Sequence, residues 1–528
     1  MNWSPKSLDL GVKLSQENMC VYNKWYYALP NLKIWDSSLL IQKNFAPIHW
    51  LRPLVSGDFV MDIFKTGLKD NIEYLTGLSS SWTKIISKLI KHGPINSYKN
   101  LKKYPWLITF IKIHKLLHNF TKGRYGLYRQ ANTKVISVVV SQLLELLDGI
   151  RFHEDRLILH EDLVPSEIFR AMGLYPWMVE MMGILMPMVD SHSMEKYIDI
   201  AENEGIPPDI CSLPKGVIGM AIEGSFPNAL AVITSNSPCD GGMSSYTIIE
   251  RKMKIPVYRL DVPYNFYNKR AVNYFANELK KMINWLEENT PGKMDWDLLK
   301  EICEQRNKMK EYELELWEMI RTRPAPLAGE PVYLSHLWAY NVYPGTKENT
   351  ELFKTLSEIA KKNYEIKKGA IPNEKYRAVL WNPPLLHFID FFSWAEQKYG
   401  VSLIIDSMSY NNQPFIDTSS PETMLNDLAS NIMQGPMARH TRGPAKNYLD
   451  DIFHIYKHFD LDMVWVAGHI GCKNTAALNG ILREKCREAG IPLLVINYDL
   501  SDPRVETHDG IKKQVDQFME NIMKVKIN

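Results

Sequence analysis

The fold is decided by two stretches that share one layout, Ala229-Leu-Ala-Val-Ile-Thr-Ser-Asn-Ser-Pro-Cys239 and Met463-Val-Trp-Val-Ala-Gly-His-Ile-Gly-Cys472. Each begins with an apolar run of strand length, passes through a short turn and ends on a cysteine. A helix-length segment follows each cysteine, and a second strand introduced by Ile-Pro comes next, at Ile255 and at Ile491. Because ligands of open parallel α/β sheets bind at the carboxyl ends of strands, the two cysteines predict one shared site between two domains.

Strands and helices alternate on both sides of these units, which predicts an α/β fold with doubly wound parallel sheets. A chain of 528 residues is too long for one core, so two or three domains are expected. The predicted domains are 156–325, which carries Cys211 and Cys239, and 326–528, which carries Cys472. Residues 1–155 show helical periodicity without strands, and they predict a mostly helical N-terminal region whose role the sequence does not reveal.

The amino-acid composition argues against several classes of protein. With 62 Lys and Arg against 60 Asp and Glu, the net charge of +2 argues against a protein that coats nucleic acid. No apolar run approaches the roughly 18 residues of a membrane span. The first residues lack the charged and then apolar layout of a secretory signal, so a cytoplasmic location is expected.

The chain has six cysteines and no C-x-x-C pair, which suits a reducing compartment and gives no local metal signature. Cys20, Cys303 and Cys486 fall outside the repeated unit, and ordinary packing is expected for them. Cys239 and Cys472 each precede a predicted helix, whose positive N-terminus favours the thiolate that ligates metals.

Cys211 lies in a Pro/Gly-bounded segment before the first unit, so three sulfurs meet if this segment reaches the shared site. Three Cys ligands with an open fourth position suit a [4Fe–4S] cluster that leaves one iron open. Zinc held by three Cys and by His469 is the competing interpretation.

Several motifs occur together in an order typical of one enzyme superfamily. They are an early helix motif, three cysteine motifs and a closing turn: Val164-Pro-Ser-Glu-Ile-Phe-Arg-Ala-Met-Gly-Leu-Tyr-Pro176, Asp209-Ile-Cys211-Ser, Ser235-Asn-Ser-Pro-Cys239, Gly468-His-Ile-Gly-Cys472-Lys and Asp499-Leu-Ser-Asp-Pro-Arg504. On these residues, about 157 to 525 resemble the radical 2-hydroxyacyl-CoA dehydratases and the ATP-dependent benzoyl-CoA reductases, which form one superfamily. The N-terminal 155 residues are not part of the shared pattern.

The resemblance implies two Rossmann-like domains with a [4Fe–4S] cluster between them, held by Cys211, Cys239 and Cys472. It also implies an acyl-CoA substrate, a homologous second subunit and a separate ATP-hydrolysing iron–sulfur activator. In such dehydratases one electron turns the thioester into a ketyl radical anion, which expels the 2-hydroxyl group and loses a β-proton to give a 2-enoyl-CoA. In the reductases the electrons enter an aromatic ring.

Dehydration of a 2-hydroxyacyl-CoA is the first functional expectation, and reduction of an aromatic acyl-CoA is the alternative. A non-catalytic subunit, with a cluster for electron relay or for structure, is the second alternative. Ser166 and Glu167 match polar positions of the early helix motif and are candidate catalytic residues, against a simple helix-start role. His469 is a candidate proton carrier or donor to the cluster, and Asp499, Asp502 and Arg504 predict a turn with local ion pairing.

Overall fold

Two four-stranded parallel sheets organise residues 157–498 in this computed structural model. The structure describes residues 83, 87 and 93–526, except 238, 265–267, 382–384, 386, 407–408, 411–412 and 442. All the described residues belong to one compact unit, Leu68–Asn528. The strand order is β2-β1-β3-β4 in the first sheet and β6-β5-β7-β8 in the second, which confirms the predicted pair of doubly wound α/β sheets.

The strands are short, and most residues of every strand except β4 are buried. They are Leu157–His160 (β1), Tyr175–Met178 (β2), Ala231–Ser235 (β3), Val257–Leu260 (β4), Tyr376–Trp381 (β5), Val401–Asp406 (β6), Met463–His469 (β7) and Leu493–Tyr498 (β8). All seven residues of β7 are buried, as expected for a parallel strand covered by helices on both faces. The parallel register aligns Ser235 with Leu260 and His469 with Tyr498, so the carboxyl ends of these strands lie at common edges.

The helices before β4 are Pro94–Lys103 (α1), Leu107–Ile111 (α2), His114–Thr121 (α3), Gly126–Phe152 (α4), Ser166–Ala171 (α5), Met181–Val189 (α6), Glu195–Asn203 (α7), Ser212–Glu223 (α8) and Asp240–Met253 (α9). Those after β4 are Lys269–Asn289 (α10), Trp296–Ile320 (α11), Glu330–Leu337 (α12), Lys347–Glu365 (α13), Phe391–Tyr399 (α14), Pro421–Gln434 (α15), Pro436–Thr441 (α16), Ala445–His458 (α17), Lys473–Glu488 (α18) and His508–Asn521 (α19). A π-helical turn, Trp338–Val342, continues α12.

The predicted amphipathic helices between residues 268 and 322 are confirmed as α10 and α11. The apolar face of α10 enters the core of the first sheet, where Phe275, Leu279, Met282 and Leu286 are fully buried. The spacing of three and four residues between these positions puts them on one side of the helix, which explains why the sequence pattern located it.

Helices α1 to α4 confirm the helical prediction for the described part of the N-terminal region. The longest, α4, has 27 residues, and its buried side chains include Val135, Ile136 and Val139. Residues before 83, with Cys20 among them, lie outside the described residues. The predicted domain boundaries at 155 and 325 stay predictions.

A buried charge network joins the N-terminal helices to the second sheet's domain. The Arg124 guanidinium binds the Glu330 carboxylate at 2.5 Å and also binds that of Glu396. The Tyr128 hydroxyl lies within hydrogen-bond distance of both carboxyl groups, at 2.9 Å from Glu330 and at 3.0 Å from Glu396, and its single proton is shared between them. Burial and the neighbouring Glu330 carboxylate raise the pKa of Glu396, although Arg124 opposes this shift. The network therefore depends on its single cation.

We expect Arg124→Met to lower the free energy of unfolding by about 3–5 kcal/mol, because it leaves two buried carboxyl groups without a cation. Urea denaturation of the full chain measures this change. The exposed Arg483→Met variant is the control and should stay within about 0.5 kcal/mol of the original protein. Adding Glu330→Gln and Glu396→Gln to Arg124→Met should recover most of the loss. Equal stability of the Arg124 and Arg483 variants would contradict the role of this network.

Candidate functional site

Each of the three candidate cysteines is the N-cap residue of a helix. Cys239 follows β3 and caps α9, and Cys472 follows β7 and caps α18, as the sequence predicts. Cys211 caps α8 in the same way. The Cys239 sulfur accepts a hydrogen bond from the Gly242 N–H at 3.4 Å, which fixes it against the first turn of its helix.

The three cysteines line one cavity of about 390 Å³. Its first side comes from the domain of the first sheet, through Cys211, Cys239 and Glu180, and its opposite side from the second, through Cys472 and Tyr333. One cavity is therefore lined by residues of both α/β halves, as the sequence predicts for a shared site. Whether the cysteines hold a cluster there stays a prediction.

Gly471 allows the two halves to meet at the cysteines. A Cβ atom on Gly471 would lie 2.7 Å from the Cα of Cys211 and 3.0 Å from its backbone nitrogen. Such distances are far below normal van der Waals contact, so the loop before Cys472 reaches Cys211 only because residue 471 has no side chain. Gly480 on α18 has no neighbouring atom within 4 Å of a Cβ, and it offers a matched comparison.

Gly471→Ala should lower the free energy of unfolding by about 1–3 kcal/mol, since the added methyl group forces two backbones apart. Gly480→Ala should instead raise it by about 0.5–1 kcal/mol, because alanine favours an exposed helix interior more than glycine does. Urea denaturation of both variants gives the comparison. If Gly471→Ala is as stable as Gly480→Ala, the close approach between these loops is not a feature of the protein.

Burial disfavours the thiolate form of Cys211 and of Cys239, and it acts against the effect expected of a helix N-terminus. Desolvation raises the pKa of Cys239 from 9.0 to about 11 and holds the pKa of Cys211 well above its usual range. The rise in the pKa of Cys239 corresponds to a free-energy cost of ionisation of about 3 kcal/mol. A helix N-terminus typically offers about 0.3–1 kcal/mol in the other direction, so burial dominates. Metal binding at these sulfurs would therefore release protons.

His469 touches the sulfur of Cys211 across the cleft. Its Nε2 lies 3.1 Å from the Cys211 Sγ, and its Nδ1 accepts a hydrogen bond from the Leu500 N–H at 3.1 Å. An acceptor at Nδ1 assigns the ring proton to Nε2, which then points at the sulfur. Burial lowers the pKa of His469, which keeps the ring neutral. The observed arrangement is that of a donor to a cysteine sulfur.

Two acidic side chains of the cavity were not identified from the sequence. Glu180 follows β2, and its Oε1 accepts a hydrogen bond from the Tyr246 hydroxyl, whereas its buried Oε2 has no partner among the described residues. Burial raises the pKa of Glu180 to about 7 and that of Asp162 to about 6. Both groups line the cavity and both titrate near neutral pH, which suits proton transfer.

Ser166 and Glu167 are not brought to the cavity. Both are buried at the start of α5, and Glu167 forms an ion pair with Arg306 of α11, while Arg306 also donates to the Gln413 side chain at 2.8 Å. This placement favours a structural role for Glu167 and leaves the catalytic role of the two residues without geometric support. Cys303 and Cys486 are buried within α11 and α18, away from the cavity.

The closing turn forms as the sequence predicts. The Asp499 Oδ1 accepts the N–H groups of Ser501 and Asp502 at 3.0 and 2.9 Å. Arg504 pairs with Asp502 at 2.7 Å, so these side chains stabilise the turn locally. The turn also joins the two halves, because the Ser501 hydroxyl donates to the Gly183 carbonyl at 2.8 Å.

The donor set of the cavity fits an iron–sulfur cluster. Three cysteine sulfurs from three helix N-termini supply the ligand type that such clusters require. Among residues of the described ranges, no three His, Cys, Asp or Glu side chains converge closely enough to hold a single metal ion. Within the described residues, no helix combines the length and the apolar character that crossing a membrane requires.

Comparison with known proteins gives a consistent result. The sequence model of the family described as 2-hydroxyglutaryl-CoA dehydratase, D-component, matches residues 163–522. One of the subunits of benzoyl-CoA reductase from Thauera aromatica is 22% identical over 343 residues, which are 61% of this chain and 78% of that protein. The family match therefore covers most of both α/β halves and leaves out the helices α1 to α4.

Two dehydratase subunits give shorter alignments. The alpha subunit of (R)-2-hydroxyglutaryl-CoA dehydratase from Acidaminococcus fermentans is 28% identical over 130 residues, which are 24% of this chain and 27% of that subunit. The alpha subunit of (R)-phenyllactyl-CoA dehydratase from Clostridium sporogenes is 24% identical over 189 residues, 34% of this chain and 46% of that subunit. Each alignment spans less than half of the dehydratase subunit.

Proposed function

Because the chain belongs to the 2-hydroxyglutaryl-CoA dehydratase D-component family, we propose that it is the iron–sulfur subunit of a radical enzyme acting on acyl-CoA thioesters. The proposed reaction is dehydration of a 2-hydroxyacyl-CoA to a 2-enoyl-CoA. The observation that carries the proposal is one cavity lined by three helix-capping cysteines and by Glu180, whose buried Oε2 has no partner among the described residues.

In the proposed reaction the substrate loses hydroxide from C2 and a proton from C3, which together leave as water. One electron enters the thioester carbonyl to give a ketyl radical anion, and it is recovered when the enoyl product forms, so the overall reaction is redox-neutral. A [4Fe–4S] cluster held by Cys211, Cys239 and Cys472 would supply single-electron chemistry in this cavity.

Glu180 is the proposed acceptor of the C3 proton. Its Oε2 is buried without a partner among the described residues, and its pKa of about 7 lets it take up and release a proton near neutral pH. Tyr246 holds the other oxygen by its hydroxyl, which orients the carboxylate. His469 donates toward the Cys211 sulfur, a contact that would stabilise negative charge on a sulfur ligand.

The proposed partners are a homologous second subunit and a separate ATP-hydrolysing iron–sulfur activator. The names of the relatives support the first, since all three are subunits of larger enzymes. An aromatic acyl-CoA reductase is the second candidate function. It is favoured by the alignment with the benzoyl-CoA reductase subunit, which covers more of both chains than the two dehydratase alignments do.

Anaerobic purification followed by iron and sulfide analysis tests the proposal. The protein, reduced by a low-potential donor, is then mixed with 2-hydroxyglutaryl-CoA, phenyllactyl-CoA or benzoyl-CoA, and products are identified by mass spectrometry. Loss of water from a 2-hydroxyacyl thioester supports the dehydratase, and gain of two hydrogens by benzoyl-CoA supports the reductase. A preparation with iron that changes spectroscopically with none of these thioesters favours a relay subunit, and one without iron overturns the cluster.

A further inference from the structure

Helix α12 and its π-helical turn form one stretch of the cavity lining in the second half, which is called the wall below. Tyr333, Leu337 and Asn341 line the cavity at steps of four residues. An α-helix rotates by about 40° over four residues, so regular continuation would carry position 341 away from the line of 333 and 337. The π turn rotates less per residue and brings Asn341 back to the cavity side. Turns of this kind are often found at functional sites.

Asn341 is the polar member of this wall. Tyr333 and Leu337 are buried and contribute ring and aliphatic surface, whereas Asn341 is partly accessible. Within the described part of the chain, no hydrogen bond satisfies its side-chain amide. A primary amide that faces a largely apolar cavity offers two donors and one acceptor to a bound molecule.

The π turn is fixed at both ends by helix α4. At its start, the Trp338 indole N–H donates to the Gln142 Oε1 at 2.6 Å. At its end, the Tyr343 N–H donates to the Trp338 carbonyl at 2.9 Å, which closes the wide turn, and the Tyr343 hydroxyl donates to the Glu145 carboxylate at 2.5 Å. Gln142 and Glu145 are three residues apart, so they lie on the same face of α4.

Hydrogen bonds satisfy both the nitrogen and the oxygen of the Gln142 side-chain amide. Its amide nitrogen donates to the Thr346 hydroxyl and to the Asn349 side-chain oxygen, both at 3.0 Å, while its oxygen accepts from Trp338. All these groups are buried. The start of α12 is held by the same N-terminal region, through the Arg124–Glu330 ion pair. The wall residues therefore lie between two anchors that come from outside the family match.

We propose that Asn341 donates a hydrogen bond to an oxygen of the substrate's acyl group, and that α4 positions Asn341 through Gln142. This inference rests on the proposed acyl-CoA function and assigns a task to part of the N-terminal region. Asn341 binds substrate in this scheme, and Gln142 acts only through the π turn. The ligand class is a thioester whose acyl group carries a carbonyl or a hydroxyl oxygen near the apolar wall.

The test is titration calorimetry with the full chain, purified without oxygen. The probes are 2-hydroxyglutaryl-CoA, phenyllactyl-CoA, benzoyl-CoA and free CoA. Asn341→Leu should weaken binding of the best thioester about tenfold, the effect expected for losing one buried hydrogen bond, and leave free CoA within about twofold. Asn521→Leu, an exposed change at the end of α19, is the matched control. If Asn341→Leu binds the thioester as tightly as this control does, the assignment of Asn341 is wrong.

A double-mutant cycle tests the positioning role. Gln142→Leu should weaken thioester binding about threefold in the original background and have no further effect in the Asn341→Leu background, because the two residues act as one unit. Trp338→Phe removes the indole donor of the Trp338–Gln142 hydrogen bond. It provides a second variant if Gln142→Leu does not fold. Independent, additive effects would overturn the positioning role. Failure of the original protein to bind any of the three thioesters would instead overturn the proposed function.

Discussion

Replacing Cys211, Cys239 or Cys472 by alanine should each remove most of the protein's iron and acid-labile sulfide. The three sulfurs come from different helix N-termini, so no other cysteine of the described ranges lies in position to replace a lost one. With two thiols left, the cluster would lose one of its three protein ligands. Iron and sulfide per chain after anaerobic purification, together with visible absorption, measure the effect.

Cys303→Ala and Cys486→Ala are the matched controls. Both thiols are buried in helices and absent from the cavity lining, so their loss removes packing without touching the site. These variants should keep the iron content of the original protein. If iron persists in all three cavity variants, or depends instead on Cys303 or Cys486, the ligand assignment is wrong.

The sequence was sufficient to place two cysteines at one site because the rule involved is local. A strand, a turn and a helix in series put Cys239 and Cys472 at helix N-caps, and the shared strand order of the two sheets follows from the repeated unit. The parallel register then brings the turns to one edge of each sheet. No further information was needed to predict that both face a cleft.

The same rule would have found the acids, had β1 and β2 been recognised. Asp162 and Glu180 each lie two residues beyond the end of a strand. Both strands have only four residues, however, and Pro176 in β2 argues against a strand when only the sequence is known. In the folded protein, parallel pairing with β1 overrides that local signal. The sequence pattern therefore does not identify Glu180 as a residue at the end of a strand.

Other features depend on packing that no local pattern encodes. The raised pKa values of Cys211 and Cys239 result from burial by residues distant in sequence, which outweighs the helix N-terminus. The π turn depends on Gln142 and Glu145, about 200 residues before it. Glu167 belongs to a motif that suggested catalysis, yet it pairs with Arg306 on a helix whose approach the motif does not predict.

The proposed role of Glu180 makes it the residue whose change should most reduce turnover without affecting the cluster. The Glu180 Oε2 is buried beside a largely apolar cavity without a partner in the described part of the chain, which is unfavourable for a carboxylate unless a ligand or a proton satisfies it. Its pKa of about 7 places the gain and loss of a proton within the working range of an enzyme. Tyr246 opposes the effect of burial, because its hydrogen bond lowers the pKa of Glu180.

Glu180→Gln should therefore lower turnover of a 2-hydroxyacyl thioester by about 10²- to 10⁴-fold, the usual contribution of a general base. Iron content and thioester affinity should stay unchanged.

In the original protein turnover should rise as pH passes through about 7, since only the deprotonated carboxylate accepts the C3 proton. Tyr246→Phe removes the hydrogen bond that lowers this pKa, so the rise should move to higher pH. Glu250→Gln, on the same helix as Tyr246, is the control. If Glu180→Gln turns over substrate as fast as Glu250→Gln does, another group accepts the proton.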